Sequence, residues 1–570
     1  MPRGWSRSSP SRCRRKGSAL QSTTVFARPL EMAEGSPRTG KATAIVGAAV
    51  LCSRLLGLVR EILFNALFGT KTLGYFLIAF RVPNLLRDLF AEGALSTAFI
   101  TVFSKKIATE GEGSAWRLAN RVGTLTLSVM SVITVLGMIF APQLIGVLAG
   151  GFTGEDAKLT AQLTTVMFPF ILLVSLAAQV MGMLNAKHVF GWPAMASSFF
   201  NIGSIVGGIA LARWMDGGFG RHALFGLAWG TLIGGFLQLT IQFPSLRRIG
   251  YHPRLDFHWR DSGVAEVLRT MAPAVVAASA VQVNVLVNTS FATDIGSGAV
   301  TWLNNAFRLM QLPLGMFGVA IGTVALPLLS RSAALGNRDE FREALSRGIR
   351  LVFFLTVPAS VGLWMLSEPI LSVIYQHNKV TWNDVVQSAG ALRYYAIGLA
   401  AYAGMKVLAP AFYAIGRRKT PMMISFIAMG LNYGLNSYFT KHGYGHRGLA
   451  LSTGVVALTN FGLLYWCMRR EIATLETRRL LVVLVKVFLA SDALALVCWG
   501  GKWLLLDRWQ TMGLLLRMSS LGLTIALALG AFCAVAAMLG LHEMHDLLDA
   551  VRRKLSRRSV RPASSGEEAP

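Results

Sequence analysis

Negative charge is scarce in this sequence. It holds 28 Asp and Glu against 55 Lys and Arg, and charged residues make up only 15% of its 570 positions. Soluble domains carry about 25% charged residues, so a soluble fold is excluded. Cysteine is also thin: Cys13, Cys52, Cys467, Cys498 and Cys533 are scattered, with the spacing of neither a disulfide framework nor a metal site. They read as small buried side chains. The nine histidines fall mostly in loops and tails, in no matched pair, which argues against a membrane enzyme built on clustered catalytic groups. His542-Glu543-Met544-His545 is one residue short of the zinc pattern H-E-x-x-H. No G-x-x-x-x-G-K-S/T phosphate loop occurs, so this chain is no ATP motor. Neither a metal nor a cofactor is expected.

Apolar sequence is abundant. Hydrophobic residues are 53% of the chain, and mean hydropathy is +0.51. Mostly apolar runs of helix-spanning length recur about fourteen times between residues 42 and 540, beginning with 42–68 and 73–103 and ending with 480–505 and 513–540. They are too long, and too little alternating, for barrel strands. An all-α polytopic membrane protein is expected. Loops after even-numbered spans hold about 21 Lys and Arg, those after odd-numbered spans about 9, which places both termini in the cytoplasm. Basic residues confined to such loops orient helices, so the net charge of +27 does not call for a nucleic-acid partner. Residues 1–41 read as a disordered basic tail, with Met32 an alternative start. Residues 541–570 read as a cytoplasmic basic tail that opens in an amphipathic helix (Leu541, Met544, Leu548, Val551, Leu555) lying on the inner leaflet.

An internal repeat divides the rest. Ala79-Phe80-Arg81 returns as Ala306-Phe307-Arg308, 227 residues later, and Phe90, Gly93 and Ser96 keep that offset with Phe317, Ala320 and Thr323. Gly226-Leu227-Ala228 matches Gly448-Leu449-Ala450. Two six-helix lobes are expected, 42–250 and 262–470, with two extra helices in 478–540. Six spans per copy is even, so the copies enter the bilayer in one orientation and a path runs between them.

A charge at mid-bilayer costs about 2.5–3.5 kcal/mol on insertion scales, so charges there need a wet interior or partners. Span 1 holds Arg54, Arg60 and Glu61; Arg54 and Glu61 share a helix face and Arg60 points away from it. Span 2 sets Arg81, Asn84, Asp88 and Glu92 on one face, with Arg87 and Pro83 among them. Span 8 has Arg308, Gln311 and Pro313. Two readings stand. Arg87, Asp88 and Glu92 form interhelical ion pairs, or the arginines line a cavity and grip phosphate or carboxylate, for which the planar guanidinium is suited. Carboxylates are the minority, which favours an anionic cargo. Gln282, Asn284 and Asn288 in span 7 are cavity or helix-contact residues. Lys486 and Asp492 in span 13 either snorkel or help form a groove for an apolar tail.

The chain resembles the MurJ (MviN) family of peptidoglycan-precursor flippases, in the multidrug/oligosaccharidyl-lipid/polysaccharide exporter superfamily. Ser53-Arg54-Leu55-Leu56-Gly57 with Arg60-Glu61 carries the likeness, as does Arg81-Val82-Pro83-Asn84-Leu85-Leu86-Arg87 running to Phe90-Ala91-Glu92-Gly93-Ala94. So do Arg308-Leu309-Met310 with Leu312-Pro313, and Lys406-Val407-Leu408-Ala409-Pro410 with Phe412-Tyr413. The resemblance implies a fourteen-helix flippase of the bacterial inner membrane. Its substrate would be the undecaprenyl-diphosphate-linked disaccharide-pentapeptide (lipid II). Membrane lipids, and the cell-wall synthesis machinery, would be its partners. It implies substrate-binding roles for Arg54, Arg60, Arg81, Arg87 and Arg308, supported by Glu61, Asn84, Asp88, Glu92, Gln311 and Lys406. Gly74, Phe307 and Gln311 stand where relatives can carry acids. The alternatives are a flippase for another lipid-linked glycan, or an ion-coupled drug exporter of the superfamily.

Overall fold

Every described element is helical. The computed structural model describes residues 37–89, 95–472, 475–504 and 509–544, with the side chains of 37–45, 274, 276–278 and 280–281 left aside. Glu92, Met32 and most of both tails lie outside the described residues.

The chain enters as one 50-residue helix, α1 (Pro37–Leu86), broken at Gly69. There φ is 70° and ψ 167°, a backbone conformation closed to residues with a Cβ. Spans 1 and 2, expected as separate segments, therefore meet at one residue. After a π-helical stretch at 87–89 the path resumes as α2 (Ser96–Glu110). Then come α3 (Glu112–Ile139), α4 (Ala141–Leu148), α5 (Gly154–Met167), α6 (Phe170–Ala186), α7 (Gly191–Met215), α8 (Leu224–Thr240) and α9 (Phe243–Arg248). A second set follows: α10 (Ser262–Ile295), α11 (Ser297–Pro313), α12 (Ala320–Ala334), α13 (Arg338–Met365), α14 (Ser367–Tyr375), α15 (Trp382–Ala414), α16 (Lys419–Lys441) and α17 (Gly445–Ile472). The chain closes with α18 (Thr477–Leu504) and α19 (Leu514–Met538).

Among the described residues, ten helical runs are long and apolar enough to cross a membrane. Helices α1, α10 and α16 are not among them. These helices bring polar groups inward: α1 the arginines, α10 Gln282 and Asn288, α16 Asn432 and Asn436. Helix α1 packs on α5, α7 and α11; α13, α15 and α17 form a second layer; α18 and α19 pair and lean on α13 and α14.

The chain's last described turn is anchored in protein. Leu541 and Met544 are buried in the core formed with Phe532 and Ala536. Glu543 joins Glu476 on the buried Arg350, whose Nε and Nη1 donate at 3.1 and 2.9 Å. The expected leaflet-bound helix is thus corrected at its start. Lys486 Nζ donates to the Leu539 carbonyl at 2.7 Å, pinning α18 to the end of α19. Asp492 is exposed. Removing one partner of a buried ion pair costs about 3–5 kcal/mol, because the other charge is left without compensation. Arg350→Ala should therefore lower the thermal unfolding temperature in detergent, and adding Glu543→Leu and Glu476→Leu should restore much of it.

Residues 249–261, joining α9 to α10, lie strapped across α3. The Tyr251 hydroxyl donates to Asn120 Oδ1 at 2.7 Å, and the Asp256 N–H to Thr124 Oγ1 at 2.9 Å. Arg121 clamps Asp256 and Asp261 at 3.0 and 2.5 Å. Asp261 also caps α10 by accepting from the Gly263 N–H at 2.7 Å. The backbone N–H and ring of His258, then Arg121, hold the Asp256 carboxyl below its usual range. A depressed folded value means stabilisation that is present above the unfolded pKa of about 3.9 and lost as pH falls below it. Hydrogen-exchange protection of the 251–258 amides should hold at pH 7 and drop below about pH 4; Asp256→Asn should show the low protection already at pH 7.

Candidate functional site

Helices α1, α7 and α8 on one side and α11, the turns at 314–319 and α15 on the other leave a polar cavity between them, with Gln282 and Val285 of α10 also on its wall. It has two adjoining chambers of about 540 and 480 Å³, which share Arg60, Glu61, Arg87, Phe200, Arg308 and Gln311. The first adds Arg54 and Lys406, the second Arg81, Asn84 and Asp88. Among the described residues, six cations therefore face two carboxylates, Glu61 and Asp88.

Backbone irregularity helps aim these side chains. Pro83 and Pro313 each remove a donor inside a helix, and each is followed by π-helical turns, at 87–89 and at Leu314–Val319. The two π stretches start 227 residues apart, the offset that separates Arg81 from Arg308.

Glu61 is largely withdrawn from the cavity and receives Arg308 at 2.6 Å, while Arg308 stays about half exposed to the cavity. Arg60 stacks over Phe200, 5.3 Å from its centroid. The expectation that Arg60 points away from Arg54 and Glu61 is corrected: all three line one chamber, because the cavity wraps a wide arc of α1. Asp88 pairs at 2.9 Å with its chain neighbour Arg87 and accepts from Gln282 Nε2 of α10 at 3.3 Å. The interhelical contact at Asp88 is thus a hydrogen bond, and the ion pair lies within one turn. Among the described residues, Arg54, Arg60, Arg81 and Lys406 have no carboxylate at ion-pair distance. Arg81 Nε is buried without a hydrogen-bond partner. Phe307, in place of an acid, packs edge-on to Tyr395.

The cavity is sealed at the Gly69 end. Asn65 and Asn305, both fully buried, exchange amide hydrogen bonds of 3.3 and 3.0 Å between α1 and α11. Thr301 donates to the Thr70 carbonyl at 2.7 Å. Asp384 collects the Thr70 hydroxyl at 2.5 Å and the Trp302 indole N–H at 2.9 Å. The Lys379 N–H donates to the Ala66 carbonyl, and its Nζ to those of Gly218 and Phe219. Gly74 lies so close to α11 that a Cβ there would sit 2.1 Å from the Ser297 carbonyl oxygen. Sequence reasoning missed this seal. Its available signals were the polar Asn65 in an apolar run and the capping box Thr381-x-x-Asp384. Toward the opposite end, exposed apolar side chains of residues 312–319 border the cavity, among them Leu312 and Val319.

On one flank α10 crosses between the helix sets, packing on α2 and α3 near the strap and on α16 and α17 beyond. Asn288 accepts from Asn436 at 2.6 Å, and Asn436 is bound in turn to Asn432 and Ser452. That cluster is neutral and holds helices together, which decides Asn288 as a helix-contact residue. Among the described residues no group of three or more His, Cys, Asp or Glu could hold a metal. No described residue of α18 or α19 lines either arginine chamber. Phe488 of α18 instead closes a separate apolar crevice of about 440 Å³ with Val361, Trp364 and Ile397.

The family model described as lipid II flippase MurJ matches residues 64–520, most of the chain. This chain belongs to the MurJ family. It is 34% identical over 535 residues to a probable lipid II flippase MurJ of Rhizobium tropici, covering 92% of this chain and 97% of that protein. It is 34% identical over 438 residues to the lipid II flippase MurJ of Burkholderia cenocepacia, covering 76% and 84%. Among solved structures, a lipid II flippase MurJ in an inward closed conformation superposes with a TM-score of 0.73 at 24% identity, covering 89% of this chain and all of that one. An inward-facing MATE-family multidrug transporter superposes at 0.64 with 16% identity, covering 76% of this chain and 99% of that one. MurJ membership makes the chain an all-α bacterial membrane protein and a transporter, not an enzyme.

Proposed function

We propose that this MurJ-family chain flips lipid II from the inner to the outer leaflet of the bacterial cytoplasmic membrane by alternating access. The observation that carries the reading is the cavity, where among the described residues six cations face two carboxylates and Arg54, Arg60 and Arg81 are unneutralised. A cation-exporting drug pump would want the opposite balance. Another lipid-linked glycan bearing a diphosphate would satisfy the same arginines, so cargo choice rests on the family.

By the positive-inside asymmetry, the sealed Gly69 end faces outward and both termini face the cytoplasm. Residues 42–250 and 262–470 act as the rocking lobes, and the recurrence of the π turn at the repeat offset supports that division. The diphosphate enters from the cytoplasmic side past the apolar edge at 312–319, with its tail left in lipid. Arg54, Arg60, Arg81, Arg87 and Arg308 grip it, steadied by Asn84, Gln311 and Lys406. Glu61 and Asp88 hold Arg308 and Arg87 when the cavity is empty. Breaking the seal then frees the headgroup outside. An uncompensated cavity charge couples to membrane potential at about 2.3 kcal/mol per charge per 100 mV. Enzymes that make and polymerise the precursor would be neighbours in the membrane. The test depletes a host's own flippase, supplies this chain, and measures exposure of labelled precursor at the outer surface. Wild type should restore exposure; no exposure in a host where the chain is inserted and abundant would overturn the reading.

A further inference from the structure

The strap of residues 249–261 carries a surface that the cavity does not use. Its inner side is fixed to α3 through Tyr251 and Asp256, and Arg121 holds both Asp256 and Asp261. Its outer side is apolar. Leu255 and Phe257 flank the inward-turned Asp256 and are 68% and 60% exposed, and Trp259 is 39% exposed. The Phe257 and Trp259 rings pack together with centroids 5.7 Å apart. Around them Arg247, Arg248, Arg254 and Arg260 are exposed, and among the described residues none has a carboxylate at ion-pair distance. The nearby acids are already taken, Asp256 and Asp261 by Arg121 and Glu266 by Lys105. The depth of the strap follows from α3. Arg121 is the last charged residue before an uncharged run to Gly154, and the Asp256 N–H sits on Thr124, one turn further in. Leu255 and Phe257 therefore project at the level where α3 turns from charged to apolar.

We infer that residues 254–260 form a docking site for anionic phospholipid of the inner leaflet. Leu255, Phe257 and Trp259 enter the headgroup region, and Arg254 and Arg260, with Arg247 and Arg248 at the end of α9, take lipid phosphates. The inference uses the orientation argued above, which puts the strap on the cytoplasmic side, and not the identity of the cargo. Aromatic rings are enriched at the membrane–water boundary, where one end of the ring is apolar and the other wet. Arginine grips phosphate through its planar fork. The cytoplasmic leaflet supplies the negative charge that four unpaired arginines call for. The strap needs little ordering to dock, because α3 and Arg121 already hold it in place. An acidic protein would match the arginines. It would not account for apolar side chains set level with the start of the apolar run of α3.

The test puts a fluorescent reporter on the strap of the full chain in nanodiscs. Leu255→Cys, with the native cysteines changed to alanine, is labelled with a nitrobenzoxadiazole maleimide. The nanodiscs hold phosphatidylcholine, a lipid with a quencher at headgroup level, and a rising fraction of phosphatidylglycerol. Quenching should rise with phosphatidylglycerol and saturate. Each basic side chain near an anionic leaflet changes partitioning about fivefold. Arg254→Gln with Arg260→Gln should therefore move the midpoint several-fold toward more phosphatidylglycerol, and high salt should act in the same direction. Phe257→Ser with Trp259→Ser should lower the quenching seen in phosphatidylcholine alone. All of these side chains are exposed, so thermal unfolding should stay near wild type. A label that no lipid mixture quenches would overturn the inference. So would equal quenching with and without phosphatidylglycerol, which marks apolar contact with no anionic site. A label that stays in water in every nanodisc, and is shielded only when a cytosolic extract is added, would assign the surface to a protein partner instead. Each result is read without cargo, so failure here leaves the flippase reading standing.

Discussion

Arg308→Ala is expected to abolish flipping, with precursor exposure falling roughly a hundredfold or more in a depleted host. Arg308 sits where the chambers meet, and its counter-charge, Glu61, lies on the opposite helix set. Two charge-assisted hydrogen bonds to a diphosphate at about 1.5–3 kcal/mol each account for that loss. The variant also leaves the largely buried Glu61 carboxylate without its cation, which should lower stability. Loss of transport by unfolding and loss by missing charge therefore have to be separated. Adding Glu61→Gln removes the stranded carboxylate and should return abundance and thermal stability toward wild type. Flipping should stay absent. Arg308→Lys keeps a point charge without the planar fork and should fall between wild type and Arg308→Ala. Rescue of transport by the double variant would show that Arg308 serves the fold alone.

The second large effect is expected at the seal. Gly74→Val places a branched side chain where even a Cβ would lie 2.1 Å from the Ser297 carbonyl oxygen and 2.7 Å from its carbon. Both are backbone atoms in the first turn of α11, so no rotamer change relieves the clash. The helices have to part, and with them go the Thr301–Thr70 and Asn65–Asn305 bonds one and two turns away. The closed outer end should lose population and the cavity should become reachable from outside. A single cysteine at Gln311, labelled by a membrane-impermeant maleimide added to whole cells, reads this directly. Labelling should be slow in the otherwise wild-type chain and at least several-fold faster once Gly74→Val is added. Flipping should fall, because the inward state that loads cargo is depleted. Unchanged labelling would mean that this approach does not hold the seal.

Much of this site was legible in the sequence, and for a physical reason. An arginine inside an apolar run is costly enough in lipid that it stands out. Arg54, Arg60, Arg81, Arg87 and Arg308 were found that way, and the structure gathers all five in one cavity. What the sequence hid were partners whose meaning depends on distance. Asn65 and Asn305 are ordinary polar residues until they face each other across two helices, 240 residues apart in the chain. Asp384 looks like a helix cap and is one, yet it also binds Thr70 and Trp302. In the sequence Gly74 stands out only as a position where relatives can carry an acid. Its role is steric, which no pattern of charge reveals. The helix breaks were partly visible: Pro83 and Pro313 marked them, while the turn at Gly69 needed one residue and left no loop to read.

The central claim is that guanidinium groups in a cavity between the two helix sets hold a diphosphate. A structure of this chain with undecaprenyl-diphosphate-linked precursor, determined in nanodiscs, tests it most directly. The diphosphate should lie within hydrogen-bond reach of Arg60 and Arg308, with Arg308 parted from Glu61. Precursor bound elsewhere, with Arg308 still on Glu61, would contradict it.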